Sequence, residues 1–432
     1  MASERVRIGT SMVAVGLVFL GLTAYRAGND PLVLTLIAGL LAAAVLMLTV
    51  PRLSSRTWHL VVPVILALVF QAAALIGSGL GCTPTVGPPG SVYFESFQLF
   101  PCTIRFSNSL YGLMQTWVVV AGGIIGLAAA STVSLRQISG FMQAACLVLG
   151  TVHAMRELFD PYFLPASVGF VNPNSLATLL VVALLCWIHQ VASQWGRSSF
   201  PRRPLEVAGW FGIGLMLMLL LILTQSRLGM FVGLSACGLL IVLLLGGRMS
   251  RYQMLHLLLL LVVTSLAFLA LQALAWVNRV GDLQGSLYER LSIYEQSAGL
   301  WRKGVLFGIG VGNFEIVFPA VNADAMLAQK LWTKAHSTYL ALYIEQGILG
   351  LLAHIYAFGA VIVILLRDWW QQKSGVAGLG LAIVFAIAAH SVFDFSMEIP
   401  GVAASVAVML GAILLSCLAI ETGPSAAVEP DA

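Results

Sequence analysis

Charge is what this sequence has least of. Charged side chains make up 9% of its 432 residues and apolar ones 59%, where soluble globular domains carry roughly 25% and 45–50%. A water-soluble core cannot absorb that excess, which excludes a soluble domain. Cysteine is sparse too. Of six, Cys146, Cys186, Cys237 and Cys417 sit inside apolar blocks, where a thiol acts as a small apolar side chain, and none has the spacing of a metal-ligand set. The net charge of +4 is too small and too dispersed to indicate nucleic acid. A nucleotide fold is excluded as well. The glycine-rich run GIGVGNF at 308–314 lacks the preceding strand of a dinucleotide site and the lysine of a P-loop.

What is present is a succession of apolar blocks about twenty residues long, each enough to cross a hydrocarbon layer of about 30 Å as helix. They predict an all-α polytopic membrane protein of about twelve transmembrane helices. The expected spans are roughly 6–25, 31–50, 58–78, 110–130, 138–155, 174–192, 206–224, 228–246, 254–277, 337–366, 376–393 and 401–420. Residues 1–432 read as a single membrane domain. Its first block runs on to Tyr25 without a small-residue cleavage site, so it reads as a span and not as a signal peptide. Basic residues favour one side: Arg52, Arg56, Arg202, Arg203, Arg248 and Arg251 fall in segments assigned to the cytoplasm. The short outer loops hold only Arg26, Arg105, Arg156 and Arg227. This bias predicts cytoplasmic N- and C-termini and a cytoplasmic tail at 421–432. Residues 79–109 then form an outer loop, in a compartment that would permit a Cys82–Cys102 disulfide. Residues 278–336 form a long, partly helical periplasmic loop between helices 9 and 10.

Ionisable groups at a membrane edge are costly and tend to face cavities. Here they gather on the outer side, at Glu157, Asp160, Arg227, the long loop, His336, Glu345 and the stretch from Asp394 to Pro400. Within the loop, residues 286–303 place Leu287, Leu291, Tyr294, Ala298 and Trp301 on one helical face, which predicts a helix lying on the membrane surface. The glycine-rich run beyond it offers backbone amides to an anion. Arg227, in TQSRLGM, suits either an interfacial anchor or a site group, and Arg290 lies beside the apolar stripe. His336 opens the tenth span in AHSTYLALY, with Tyr339 and Tyr343 on nearly the same helical face. Glu345, nine residues on, faces away from it and predicts a polar contact to a neighbouring helix. His390 and Asp394 are spaced to pair with each other. Asn172 and Asn174 flank Pro173 as a helix cap would. One histidine and two arginines on a single outer face suit a pyrophosphate-linked donor.

Five segments carry a resemblance: VNPNSLATLL from Val171, TQSRLGM from Thr224, the stretch from Arg290 ending LFGIGVGNF, KAHSTYLALYIEQGILG from Lys334, and HSVFDFSMEIP from His390. In order and spacing, over roughly 120–415, they resemble the bacterial O-antigen ligase and polymerase superfamily of membrane glycosyltransferases. The resemblance implies an undecaprenyl-pyrophosphate-linked glycan as donor, no metal or other cofactor, and a saccharide or lipid A-core as acceptor. Chain-length regulator or flippase proteins are implied as partners. It implies His336, Arg290 and Arg227 as catalytic residues. Arg227 and Arg290 would neutralise the departing pyrophosphate with planar, permanently charged forks, and His336 would take the acceptor proton. Tyr339, Tyr343, Asn313, Asn174 and Asp394 complete the expected substrate contacts.

Polymerisation of repeat units is the leading activity so implied, and ligation of a finished glycan is the close alternative. A secondary transporter would also suit twelve spans. However, no half of the chain repeats the other, and the polar residues collect at one face, not at the midplane where carriers place their sites.

Overall fold

The computed structural model describes residues 2–21, 31–47, 58–79, 85–86, 92–93, 103–158, 172–195, 203–245, 252, 288–297, 306–322, 332–372 and 374–418. Helix follows helix: α1 (Ala2–Gly16, continued by a π-helical turn at Leu17–Gly21), α2 (Pro31–Met47), α3 (Trp58–Gly79), α4 (Phe106–Ala129), α5 (Leu135–Leu158), α6 (Pro173–Gln194), α7 (Pro204–Leu223), α8 (Arg227–Leu245), α9 (Phe314–Val321), α10 (Thr338–Gln372), α11 (Gly375–Ser391) and α12 (Pro400–Leu418). Residues 288–297 are helical as well. The departure from an all-α chain is small. Between α3 and α4, β1 (Thr85–Val86) pairs antiparallel with β2 (Val92–Tyr93), Thr85 opposite Tyr93.

Among the described residues seven helices, α4 to α8, α10 and α12, are long and apolar enough to cross a membrane, and shorter apolar stretches lie in α1, α2, α3 and α11. Each falls on an expected span. The expected span at 254–277, both Cys82 and Cys102, Asp160 and the tail at 421–432 lie outside the described residues.

Helix α6 occupies the centre, packed by α5, α7, α8, α11 and α12, and its residues from Ser175 to Cys186 are all buried. The most intimate pairing is between α4 and α12. Gly122 and Gly126 of α4 lie directly on the backbone of Ala404 and Val408, and Gly411 of α12 lies on the Gly123 carbonyl. Small residues at these points let two apolar helices approach until their backbones touch, which is how helices associate where burial from water gives no drive. The outward faces keep large apolar side chains exposed, among them Leu36, Leu215, Leu352 and Val363, as a surface solvated by lipid requires.

Helix α10 is broken. Gly347 has φ 68° and ψ −172° inside it, a conformation that a residue with a Cβ resists. The break frees carbonyls that an unbroken helix would satisfy, and buried backbone groups must find partners. The glycine-rich turn supplies them: Ile309 N donates to the Ile344 carbonyl (3.0 Å), Gly310 N to the Glu345 carbonyl (2.9 Å), and Leu349 N to the Leu306 carbonyl (3.4 Å). Close approach demands glycine on both sides, since a Cβ on Gly308 would strike the Glu345 backbone and one on Gly347 the Leu306 backbone.

The α4–α12 contact gives a stability test. Gly126→Leu should force the two backbones apart and cost about 1–3 kcal/mol. Gly212→Leu on α7, whose Cβ would meet nothing within 4 Å, should be close to neutral. Thermal unfolding of the detergent-solubilised protein compares the two, and equal melting temperatures would contradict the packing.

Candidate active site

Four sequence motifs meet at one end of the bundle, where α6, α8, α10 and α12 begin and α7 and α11 end. The hairpin between α7 and α8 turns through Gln225, whose φ of 55° is left-handed. Ser226 then caps α8, its Oγ accepting from Gly229 N at 3.1 Å as an N-cap serine does. The same hydroxyl donates to Asn174 Oδ1 at 2.7 Å, and Asn174 Nδ2 donates to Asp394 Oδ1 at 2.9 Å. Asp394 is fully buried. Its Oδ2 accepts from Ser396 N at 2.8 Å and from the Ser396 hydroxyl, while its main-chain carbonyl accepts from Thr338 N and Thr338 Oγ1, each at 3.2 Å. A hydrogen-bonded chain therefore runs from the residue before Arg227 to the second residue after His336. Asn172 caps α6 by accepting from Asn174 N at 2.9 Å, with Pro173 in the first turn, as the sequence pattern leads one to expect.

His336 stands at the entrance to α10 with φ 55°, a left-handed conformation uncommon for a residue with a Cβ and frequent at functional sites. Its ring lies edge-on between Trp332 (centroids 5.5 Å apart) and Phe395 (5.0 Å). Its Nδ1 is buried with no hydrogen-bond partner. Tyr294, from the helical segment 288–297, donates its hydroxyl to the His336 carbonyl at 2.9 Å and also lies 3.3 Å from the Val392 carbonyl. That segment carries Arg290, whose charge is felt at His336. Burial holds the His336 imidazole below the ordinary histidine value and the Arg290 guanidinium lowers it further, with Asp394 and Glu289 pulling the other way. The ring is therefore neutral at neutral pH and able to accept a proton. Arg227, the first residue of α8, is half-buried at the same end of the bundle.

Behind His336 lies a buried charge cluster. Lys334 Nζ is 3.2 Å from Glu398 Oε2. Glu345 Oε1 accepts from Phe314 N at 3.1 Å, and the Gly312 amide also bonds to its carboxylate. The amides of the glycine-rich turn do receive an anion, and it is the carboxylate of Glu345. Glu345 also lines, with Gln71, Ser109 and Gln346, a small cavity between α3 and the turn.

A comparison with families of known proteins decides the setting of these residues. Residues 211–355 match the O-antigen ligase family. The match supports the resemblance to the O-antigen ligase and polymerase superfamily, and with it a glycosyl-transferring membrane enzyme of polysaccharide assembly. No curated protein matches the chain. The matched segment contains Arg227, Arg290, the glycine-rich turn and His336, whereas Asn174 and Asp394 lie on either side of it and join it through hydrogen bonds.

Other expected contacts take different places. Asn313 is fully buried and its Nδ2 donates to Thr103 Oγ1 at 2.8 Å and to the Gly310 carbonyl at 3.0 Å, so it holds the turn together and does not face the site. Tyr339 is partly exposed but its hydroxyl donates to the Ala388 carbonyl of α11 at 3.0 Å; Tyr343 is half-buried one turn on. His390 does not bond to Asp394. Its Nδ1 lies 2.6 Å from Thr178 Oγ1, because Asp394 is turned toward Asn174 and Ser396. The expected apolar stripe of the surface helix is divided: Leu291 is 63% exposed while Ile293 and Ser297 are fully buried, so Leu291 faces outward and the opposite face packs on the protein. Leu287, Ala298 and Trp301 lie outside the described residues. Among the described residues no three His, Cys, Asp or Glu side chains are grouped as a metal would need. The Lys334–Glu398 pair was not among the expected catalytic residues, and its signal was the lysine two residues ahead of the histidine.

Two measurements check this geometry. Asp394→Ala should cost about 1–3 kcal/mol by leaving Asn174 and Ser396 unsatisfied, and should speed amide exchange at Thr338. Arg290→Gln removes a positive charge from the neighbourhood of His336, so the imidazole should bind its proton more tightly. The pH midpoint of His336 modification by diethyl pyrocarbonate should then rise, and an unchanged or lower midpoint would separate the two residues.

Proposed function

We propose that the protein transfers a glycan from an undecaprenyl-pyrophosphate donor to a saccharide hydroxyl at the periplasmic membrane face, without a metal and with inversion. The observation that carries this reading is His336: a strained, neutral histidine with an unsatisfied buried nitrogen, under the charge of Arg290 and tied through Asp394, Asn174 and Ser226 to the helix that Arg227 opens.

The reaction needs three things from the protein. The acceptor hydroxyl must lose its proton as its oxygen attacks the anomeric carbon, and the neutral imidazole of His336 accepts it. The bond from that carbon to the pyrophosphate oxygen breaks as the new one forms, so charge grows on the leaving group. Arg227 and Arg290 stabilise it with permanent charge and planar donors that match phosphate oxygens. In a water-poor site such pre-placed charge lowers the barrier by several kcal/mol. Tyr339, Tyr343 and Asn174, on the elements that carry these groups, are the residues we propose as sugar contacts. Direct attack from the face opposite the leaving group inverts the anomeric centre.

Joining repeat units into a polymer is the lead. The family description, O-antigen ligase, favours a second reading, transfer of a finished glycan onto a lipid A-core. Loss of the gene distinguishes them: the first predicts short polysaccharide, the second long chains left on the carrier.

A reconstituted assay with a lipid-pyrophosphate oligosaccharide tests the mechanism. Arg227→Ala, Arg290→Ala and His336→Ala should each reduce transfer by about 10²-fold or more with unchanged membrane levels; a fully active Arg290→Ala protein would remove that residue from the reaction. Activity should survive EDTA. Because His336 must be neutral to accept a proton and its pKa is depressed, transfer should be lost to acid at a pH below the ordinary histidine value.

A further inference from the structure

The Lys334–Glu398 pair is used neither for substrate nor for the proton. It is nonetheless the most enclosed ion pair among the described residues, with side chains 19% and 15% exposed. Burial pushes the Glu398 carboxyl up to about 7, against the pull of Lys334 and with the push of Glu345. Burial works against the Lys334 ammonium too, but the charges of Glu398 and Glu345 overcome it and hold the ammonium above its ordinary value. Tyr111 faces Lys334 from α4, and Asp394 faces Glu398. Two carboxyls thus surround one ammonium, a costly arrangement that apolar side chains of similar volume would replace with little or no loss of stability. Stability alone does not account for it.

Its place in the chain suggests what does. Lys334 is two residues after Trp332 and two before His336, and Glu398 is three residues after Phe395. Trp332 and Phe395 are the two rings between which His336 stands. The ion pair therefore ties together the two short segments that carry the walls of the histidine's slot. Glu345, through Phe314 N and the Gly312 amide, anchors the same cluster to the glycine-rich turn.

We propose that Lys334 and Glu398 are positioning residues, whose ion pair sets the separation of Trp332 and Phe395 and so holds His336 in its left-handed, proton-accepting pose. The consequence for catalysis rests on the glycan-transfer reading above, but the effect on His336 itself does not. A broken pair should let the slot open and the histidine relax, slowing the proton transfer while leaving donor binding by the arginines in place.

The test uses the full-length protein in detergent or nanodiscs. Lys334→Met with Glu398→Met removes both charges of the pair, and Glu345 keeps its bonds to the Phe314 and Gly312 amides, so the fold should persist. The rate of His336 modification by diethyl pyrocarbonate, read on its own peptide, should change about fivefold or more. In the lipid-pyrophosphate transfer assay kcat should fall about tenfold or more with KM for the donor within about twofold. Lys334→Arg, which keeps the charge, should restore both. A folded double variant with wild-type modification rate and kcat would overturn the proposal, as would a Lys334→Arg protein as impaired as the double variant. Should the double variant not fold, the charge-swapped pair Lys334→Glu with Glu398→Lys decides: an unchanged His336 modification rate supports the pair, and an altered one overturns it. A wild-type protein without transfer activity would end the glycan-transfer reading yet leave the modification result standing.

Discussion

Backbone amides and carbonyls away from water have to be paired inside the protein, and the break at Gly347 makes that requirement specific. The carbonyls of Ile344 and Glu345 lose their helical partners and are met by the amides of Ile309 and Gly310. From that exchange much else follows. The glycine-rich turn is fixed against α10, Asn313 is drawn beneath it, and the Glu345 carboxylate is brought onto the turn's amides. The first nine residues of α10, with His336 just ahead of them, are consequently held by the turn and by Asp394 as well as by the helix they belong to.

The polar end of the bundle combines two kinds of support. Hydrogen bonds through Asn174, Asp394, Ser226 and Thr338 keep four helix ends in register. Beside it stand the Arg290 charge, which bears on the imidazole, and the Lys334–Glu398 pair that begins two residues ahead of His336. Burial and the Arg290 charge keep the imidazole neutral against the opposing pull of Asp394 and Glu289.

Helices and their approximate limits were legible because a hydrocarbon-crossing segment has to be apolar for its whole length. The break in α10 was not, because Gly347 in IEQGILG looks like any glycine of a membrane helix, and only its contact with the Leu306 backbone shows why it is there. The glycine-rich turn was read for the right physical property, amides open to an anion, but a sequence cannot say whether that anion is a ligand or a side chain such as Glu345. The pairing of His390 with Asp394 was a fair reading of helical spacing. It fails because α11 ends at Ser391, so Asp394 lies beyond the helix and is free to turn to Asn174. The Asn172 cap was visible because capping is local, whereas the Lys334–Glu398 pair joins residues 64 positions apart in the numbering, beyond what spacing can show.

Tyr294 has a wider consequence. Its single hydroxyl joins the segment bearing Arg290 to the main chain of His336, so the cation and the imidazole are coupled by one direct bond as well as by the chain between them. Loss of that phenol would uncouple the helical segment from the start of α10 without touching either charged group.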